Sequence, residues 1–161
     1  MAPEDAEEAA SAEKWERQAT GLAEAGHFKR AAELFARAAR LAPGSARLKE
    51  AEAQCLLELD EVEAAQGAAA KAVELRPQWP IAHATLGRAL LNCGRLQDAA
   101  ERLAEAASLA GAGGPEGDAE LAAELAPELA EARALLDRHW AEHHDVALPL
   151  RPAGGGAPLR P

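Results

Sequence analysis

The chain has 161 residues, of which 48% are hydrophobic and 3% aromatic, and its formal net charge is -10. Alanine supplies much of the hydrophobic fraction and favours helices over strands, so the composition predicts a single all-α domain with a thin core. The acidity, concentrated at the two ends of the helical region, argues against a nucleic-acid or anionic membrane partner, because both need clustered basic residues.

Residues 1–11 are acidic and lack an apolar stretch, and we interpret them as a flexible N-terminus. This composition fits neither a secretory signal nor a mitochondrial transit peptide, and no apolar run reaches transmembrane length. Cys55 and Cys93 lie inside predicted helices and are interpreted as buried structural thiols. The expected location is therefore cytoplasmic or nuclear.

Three contiguous units follow, at residues 12–45, 46–79 and 80–113, with a period of 34 residues and no insertions. Apolar and helix-terminating residues return at this period. The series are Leu22, Leu56 and Leu90; Phe28, Val62 and Leu96; Ala31, Ala65 and Ala99; Ala38, Ala72 and Ala106; and Pro43, Pro77 and Gly111. Agreement of independent positions at one period predicts a tandem repeat.

Each unit has the pattern of a helix, a tight turn and a second helix. In the first unit, Trp15, Ala19 and Leu22 fall on one helical face. Gly26 supplies the positive φ with which the first helix ends, and Pro43 stops the second helix. The recurring alanines of the second helix are expected to be small because the two helices cross closely there.

These residues resemble the tetratricopeptide-repeat (TPR) family. The first unit matches its signature at Trp15, Ala19, Leu22, Gly26, Phe28, Ala31, Phe35, Ala38 and Pro43. The second unit departs from it at Lys49, Asp60 and Ala69, and the third at His83 and Gly111. The resemblance covers residues 12–113 and implies a small, stand-alone α-solenoid of three helix-turn-helix units that binds proteins and is not an enzyme.

Residues 114–145 are predicted to be a linker and a capping helix. Asp118 can cap this helix, and Pro127 is expected to break or restart it. The apolar face consists of Leu129, Ala132, Leu136 and Trp140. Because a repeat array exposes an apolar face after its last helix, we expect residues 128–144 to cover that face, with Trp140 as the anchor.

Residues 146–161 form a Pro/Gly-rich segment that we interpret as a flexible tail. It contains Pro-Leu-Arg-Pro at 149–152 and again at 158–161, a pattern related to polyproline-II ligands. Neither copy has a flanking arginine at the spacing that SH3 ligands use, so a solvated tail is the favoured interpretation.

His139, Glu142 and His143 form an H-x-x-E-H pattern typical of some zinc peptidases. That chemistry needs a third protein ligand and a cleft, and the residues after His143 include Asp145 but no glutamate. The glycine-rich segment 111–117 lacks the Gly-Lys-Ser/Thr ending of a phosphate loop. We therefore expect no catalytic residue, no cofactor and no metal.

The TPR resemblance implies that the first helices of the units line a concave groove. By the family register, the predicted partner-binding residues are Arg47, Glu50, Gln54, Leu57, Ile81, Arg88, Leu91 and Asn92. Glu13, Glu16, Thr20 and Ala23 begin the groove in the first unit. We expect the groove to hold a peptide or helix whose apolar side chain meets the leucines and Ile81, beside an acidic group that pairs with Arg47 or Arg88.

Co-chaperone TPR domains hold the C-terminal carboxylates of Hsp70 and Hsp90 in a cationic clamp. The matching positions here are Glu16, Thr20, Ala51, Ile81 and Thr85, and none is basic. A chaperone-tail clamp is therefore not expected. The predicted function is that of an adaptor or scaffold, as a monomer or within a hetero-complex. The alternative is a structural subunit docked through its convex face, cap or tail.

Overall fold

A computed structural model describes residues 3–112 and 118–143, with side chains from residue 7 onwards. Over this part of the chain the secondary structure is seven α-helices without a strand. They are α1 (Pro3–Glu24), α2 (Phe28–Leu41), α3 (Ala46–Glu58), α4 (Val62–Leu75), α5 (Pro80–Asn92), α6 (Leu96–Gly111) and α7 (Ala119–His143). The tail at 146–161 lies outside the described residues.

The helices pair in chain order as three antiparallel hairpins, α1–α2, α3–α4 and α5–α6, and each hairpin packs on the next. The second helices begin at Phe28, Val62 and Leu96, which reproduces the 34-residue period of the sequence. Helix α7 packs on α6 and closes the stack. The predicted all-α solenoid of three units with a C-terminal capping helix is confirmed.

The turn inside each hairpin has the same backbone geometry in all three units. Gly26 and Gly94 occupy it with φ values of 78° and 73°, and Asp60 occupies it with a φ of 59°. The following N–H donates to a carbonyl in the last turn of the first helix, from His27 to Leu22, from Glu61 to Leu56 and from Arg95 to Leu90. Aspartate tolerates this left-handed conformation better than most residues, so the second unit keeps the turn without glycine.

Small residues form the contacts between the paired helices. Ala31, Ala65 and Ala99 are completely buried. On α5 the contact residue is Gly87, where an added Cβ would lie 2.8 Å from Cγ of Leu103 and 3.3 Å from its backbone nitrogen. The close separation of α5 and α6 therefore requires a residue without a side chain at position 87.

The clusters of buried residues differ in side-chain size along the stack. The cluster of the middle hairpin consists of the alanines Ala53, Ala68 and Ala69. The cluster of the first hairpin contains Phe35, and the cluster around α6 and α7 contains Leu103 and Leu125.

Helix α1 begins at Pro3, within the segment 1–11 that the sequence analysis interprets as a flexible N-terminus. The local sequence explains this difference. Proline is favoured in the first turn of a helix, and the alanine and glutamate residues that follow favour its continuation.

Helix α7 is continuous through Pro127, so the prediction of a break there is wrong. Proline removes a hydrogen bond to the carbonyl of Ala123, and both residues lie on the exposed side of the helix, where water can replace that bond. The predicted cap is present: Asp118 Oδ1 accepts hydrogen bonds from the backbone N–H groups of Glu120 and Leu121 at 2.9 and 3.2 Å.

The residues that anchor α7 are Leu125 and Ala132, both completely buried, whereas Trp140 is 51% exposed. The prediction of Trp140 as the anchor is therefore wrong. Residues 137–143 are all exposed, so the last turns of α7 extend beyond the surface that α6 offers.

We expect Gly87→Ala to lower the free energy of unfolding by about 1–3 kcal/mol, because the methyl group would collide with Leu103. The matched control is Gly67→Ala on α4, where an added Cβ meets nothing within 4 Å. That control should raise the free energy by about 0.5–1 kcal/mol through better helix propensity. Urea unfolding measures both changes, and equal stabilities of the two variants would contradict the packing argument.

Candidate protein-binding face

The predicted binding residues form one stripe on α3 and one on α5. The α3 stripe is Arg47, Glu50, Gln54 and Leu57. The α5 stripe is Ile81, Arg88 and Asn92, with Leu91 beside it, and Thr85 joins this stripe although it is not among the predicted binding residues. Spacings of three and four residues place the members of each stripe on the same side of their helix. We call these two stripes, with Glu16 of α1 and Glu128 of α7, the inner face.

Side-chain contacts join the successive first helices across the inner face. Nη2 of Arg47 lies 2.6 Å from Oε1 of Glu16, which joins α3 to α1. The hydroxyl of Thr85 donates to Oε1 of Glu50 at 2.8 Å, which joins α5 to α3. The first contact is exposed and screened by solvent, whereas the second is buried.

Arg88 joins α5 to the capping helix. Its Nε and Nη2 donate to the two carboxylate oxygens of Glu128 at 2.9 and 2.7 Å. This forked geometry is the strongest form of an ion pair, and the hydrogen bonds to Glu128 raise the pKa of Arg88. Both Arg47 and Arg88, which were expected to meet an acidic ligand group, therefore already pair with a carboxylate of the chain.

Glu50 is the buried carboxylate of the inner face, with 6% of its surface exposed. Its Oε1 accepts hydrogen bonds from Thr85 and from the side-chain amide of Gln54. Burial raises the pKa of Glu50, and the two hydrogen bonds and the charge of Arg88 offset only part of that effect.

The apolar residues of the inner face differ in exposure. Ile81 is 36% exposed, whereas Leu57 and Leu91 are half-buried. Leu91 packs against the core cluster shared by α5, α6 and α7. Ile81 is therefore the apolar side chain that is best placed to meet a partner.

A depression of about 610 Å³ lies at the α1 end of the inner face. It is lined by Glu13, Glu16, Arg17, Thr20, Gly21, Glu24 and Arg47. Glu13, Glu16, Thr20 and Arg47 are predicted groove residues. Glu24 is not among them, although it lies four residues after Thr20 on the same helical face. Thr20 donates its hydroxyl to the backbone carbonyl of Glu16.

The H-x-x-E-H pattern lies on the exposed last turns of α7. The rings of His139 and His143 are 4.2 Å apart, and Nδ1 of His143 lies 2.9 Å from the backbone carbonyl of His139. Across residues 3–112 and 118–143, no three His, Cys, Asp or Glu side chains are grouped to hold a metal ion. His144 and Asp145 lie outside the described residues.

The two cysteines are free thiols in different surroundings. Cys55 is buried, and burial raises its pKa to about 11, which keeps the thiol protonated and unreactive at neutral pH. Cys93 is half-buried, and its Sγ lies 3.5 Å from Oε1 of Gln66.

Solved structures share this helical arrangement. A type III secretion system complex from Aeromonas hydrophila contains a similar chain, with 25% identity and a TM-score of 0.72 over 78% of this chain and 83% of that one. PcrH in complex with the chaperone binding region of PopD is similar at 23% identity and a TM-score of 0.70, over 76% and 90% of the two chains. The first TPR of Spaghetti (RPAP3), bound to the HSP90 peptide SRMEEVD, is similar at 17% and 0.66, over 78% and 95%.

The similarity to these structures shows that the fold is an α-solenoid of helical hairpins. A family model described as tetratricopeptide repeat matches residues 22–84, from the first unit into the third. Residues 22–84 therefore resemble the TPR family, and the TPR fold supports a role in protein–protein interaction. A search of curated protein sequences found no match. None of the helices within the described ranges is both long and apolar enough to cross a membrane.

We expect Glu50→Gln to change how stability depends on pH. The folded-state pKa of Glu50 is raised above the ordinary value of 4.5, so the stability linked to its protonation is fully present below pH 4.5 and is lost as the pH rises through the folded pKa. The variant keeps an acceptor for Thr85 but has no charge to bury. Its free energy of unfolding should therefore increase relative to that of the wild type as the pH rises above 4.5.

Urea unfolding at a series of pH values measures this difference. The control is Glu105→Gln, an exposed carboxylate on α6. It should follow the wild type at every pH. A constant difference between Glu50→Gln and the wild type from acidic to neutral pH would show that burial of this charge has no influence on stability.

Proposed function

We propose that the chain is a non-catalytic adaptor or scaffold that holds a peptide or helix of a partner protein on its inner face. The exposure of Ile81 carries this proposal. Of the large apolar side chains in the described residues, Ile81 and Trp140 are the two that are exposed, and Ile81 lies on the inner face. An exposed apolar side chain surrounded by polar groups is typical of the centre of a protein interface.

The similar structures support this proposal. The PcrH structure contains the chaperone binding region of PopD, and the RPAP3 structure contains an HSP90 peptide, so solenoids of this shape accommodate segments of other proteins. The net charge of -10 favours a protein partner over nucleic acid or an anionic membrane. We propose the cytosol or nucleus as the compartment, since Cys55 and Cys93 are both free. The chain would act there as a monomer or within a hetero-complex.

Trp140 supports the alternative function, a structural subunit of a larger complex. It is exposed on the last turns of α7, away from the residues that anchor this helix on α6. Tryptophan is strongly enriched among residues that dominate protein interfaces. In this alternative the cap, rather than the inner face, contacts the rest of the complex.

We expect Ile81→Glu to abolish partner capture, because a charge would be buried at the centre of the interface. Affinity purification of the tagged protein, with quantitative mass spectrometry of the bound proteins, compares Ile81→Glu, Trp140→Glu and the wild type. The control Ala64→Glu adds the same charge on an exposed position of α4. Circular dichroism should show equal helicity in all four proteins.

The same experiment separates the two functions. Loss of partners with Ile81→Glu alone supports the inner face, whereas loss with Trp140→Glu alone supports docking through the cap. If both variants retain the partners of the wild type, neither surface is the interface and both proposals fail.

We also propose that the inner face does not bind chaperone tails. The clamp positions Thr20 and Thr85 donate their hydroxyls to the backbone of Glu16 and to the Glu50 carboxylate. Ile81 and Ala51 offer no charge. A ligand carboxylate would therefore find no unpaired cationic donor at these positions and would face Glu16 at close range.

We expect no heat of binding when the acidic peptide SRMEEVD is titrated into this protein in a calorimeter. The first TPR of RPAP3, which is bound to this peptide in its solved structure, is the positive control. The prediction would be wrong if the peptide bound with micromolar affinity and if Thr85→Val or Ile81→Glu weakened that binding. Such a result would show that these positions form a carboxylate clamp although none of them is basic.

A further inference from the structure

The carboxylate of Glu50 is held in place through one oxygen. Oε1 accepts the hydrogen bonds from Thr85 and Gln54, and neither donor reaches Oε2. Among the described residues, Nδ1 of His83 is the single buried side-chain nitrogen or oxygen without a hydrogen-bond partner. Oε2 of Glu50 therefore keeps access to solvent, although 6% of the residue is exposed. Glu50 belongs to the α3 stripe, so the inner face is the side of α3 on which this residue lies.

No basic residue of the described chain forms an ion pair with Glu50. Arg88 is close enough to stabilise the ionised form of Glu50, but its guanidinium donates its hydrogen bonds from Nε and Nη2 to Glu128. A carboxylate that is mostly removed from water and lacks a dedicated cation destabilises the fold when it is ionised. An external cation that reached Oε2 would offset that cost.

The charges around the inner face favour a cation over an anion. Arg47 and Arg88 are each paired with a carboxylate of the chain. Glu13 and Glu24 are exposed in the depression at the α1 end and form no ion pair within the described residues. With Glu16 they outnumber the two cations of this depression, Arg17 and Arg47. A basic segment would therefore be attracted to this face, whereas an acidic segment would have to displace Glu16 or Glu128.

We propose that Glu50 recognises a lysine or arginine side chain of the partner segment, whose cation contacts Oε2 while an apolar residue of the same segment packs on Ile81. Ile81 lies one helical turn before Thr85, which holds Glu50, so both contacts fall within reach of one short segment. This inference rests on the proposed function, since it names the chemistry of the partner that the inner face binds.

A purely structural role for Glu50 is the competing explanation. In that case the carboxylate serves only to join α3 to α5 through Thr85. Glu50→Gln separates the two roles, because glutamine keeps an acceptor for Thr85 and loses the charge. Thr85→Val is the reciprocal variant, since it removes the donor and keeps the charge.

The probes are three synthetic peptide libraries of one amphipathic design that differ at a single fixed central residue, which is lysine, norleucine or glutamate. Arrays of each library are incubated with the labelled full-length protein. The strongest lysine peptide and its norleucine counterpart are then titrated in solution by fluorescence anisotropy. The proteins are the wild type, Glu50→Gln, Thr85→Val, Ile81→Glu and the control Glu105→Gln.

We expect the lysine library to bind best. Glu50→Gln should weaken the lysine peptide on the order of tenfold and leave the norleucine peptide unchanged, as for loss of one charged hydrogen bond. Thr85→Val and Glu105→Gln should keep the preference for lysine, and Ile81→Glu should weaken every peptide. Added salt should weaken the lysine peptide selectively.

The outcomes distinguish this inference from the function on which it rests. Peptides that require Ile81 but bind equally with lysine, norleucine or glutamate would overturn the role of Glu50 and leave the binding function intact. Loss of the lysine preference in Thr85→Val as well as in Glu50→Gln would assign Glu50 a structural role. If no peptide bound in an Ile81-dependent manner, the proposed function itself would fail.

Discussion

Close approach of the helices within each hairpin is the constraint on which the rest of the structure depends. The contact position on the first helices is held by Ala19, Ala53 and Gly87, and all three are buried. Because these side chains are small, a chain with 3% aromatic residues can still form a continuous core by stacking hairpins. The tight crossing also determines which side of each first helix remains available for the inner face.

The apolar core and the polar contacts of the inner face complement each other along the stack. The buried cluster of the middle hairpin consists of alanines, whereas Leu48 and Cys55 of α3 are buried in the cluster of the first hairpin. At the step from this hairpin to the next, the contact between Glu50 and Thr85 is buried, whereas Arg47 and Glu16 meet near the surface at the preceding step. The alanine cluster of the middle hairpin is therefore followed by the polar contact that solvent screens least.

The helices and their period could be predicted from the sequence because they depend on local rules. Turn residues, small contact residues and amphipathic spacing each return every 34 residues, and the helix boundaries follow them. The stripe of Arg47, Glu50 and Gln54 could be predicted from the register of the TPR resemblance, since residues three and four apart lie on one side of a helix.

The partners of those side chains could not be predicted, because they depend on how distant helices lie against each other. Glu128 follows Arg88 by 40 residues and approaches it only because α7 packs on α6. The prediction of Trp140 as the anchor of α7 was wrong for a related reason. Leu125, Ala132 and Trp140 share the same apolar spacing on α7, and the sequence pattern does not reveal where the surface of α6 ends.

The position of α7 has a consequence for assembly. In a solenoid, the exposed face of the last helix resembles the faces that are buried between neighbouring units, so an uncovered end can accept the first hairpin of another molecule. Such head-to-tail contacts do not close on themselves and can extend into open filaments. Leu125 and Ala132 fill that face of α6 from within the same chain. The helix that completes the core therefore also covers the face of α6 through which such contacts would form.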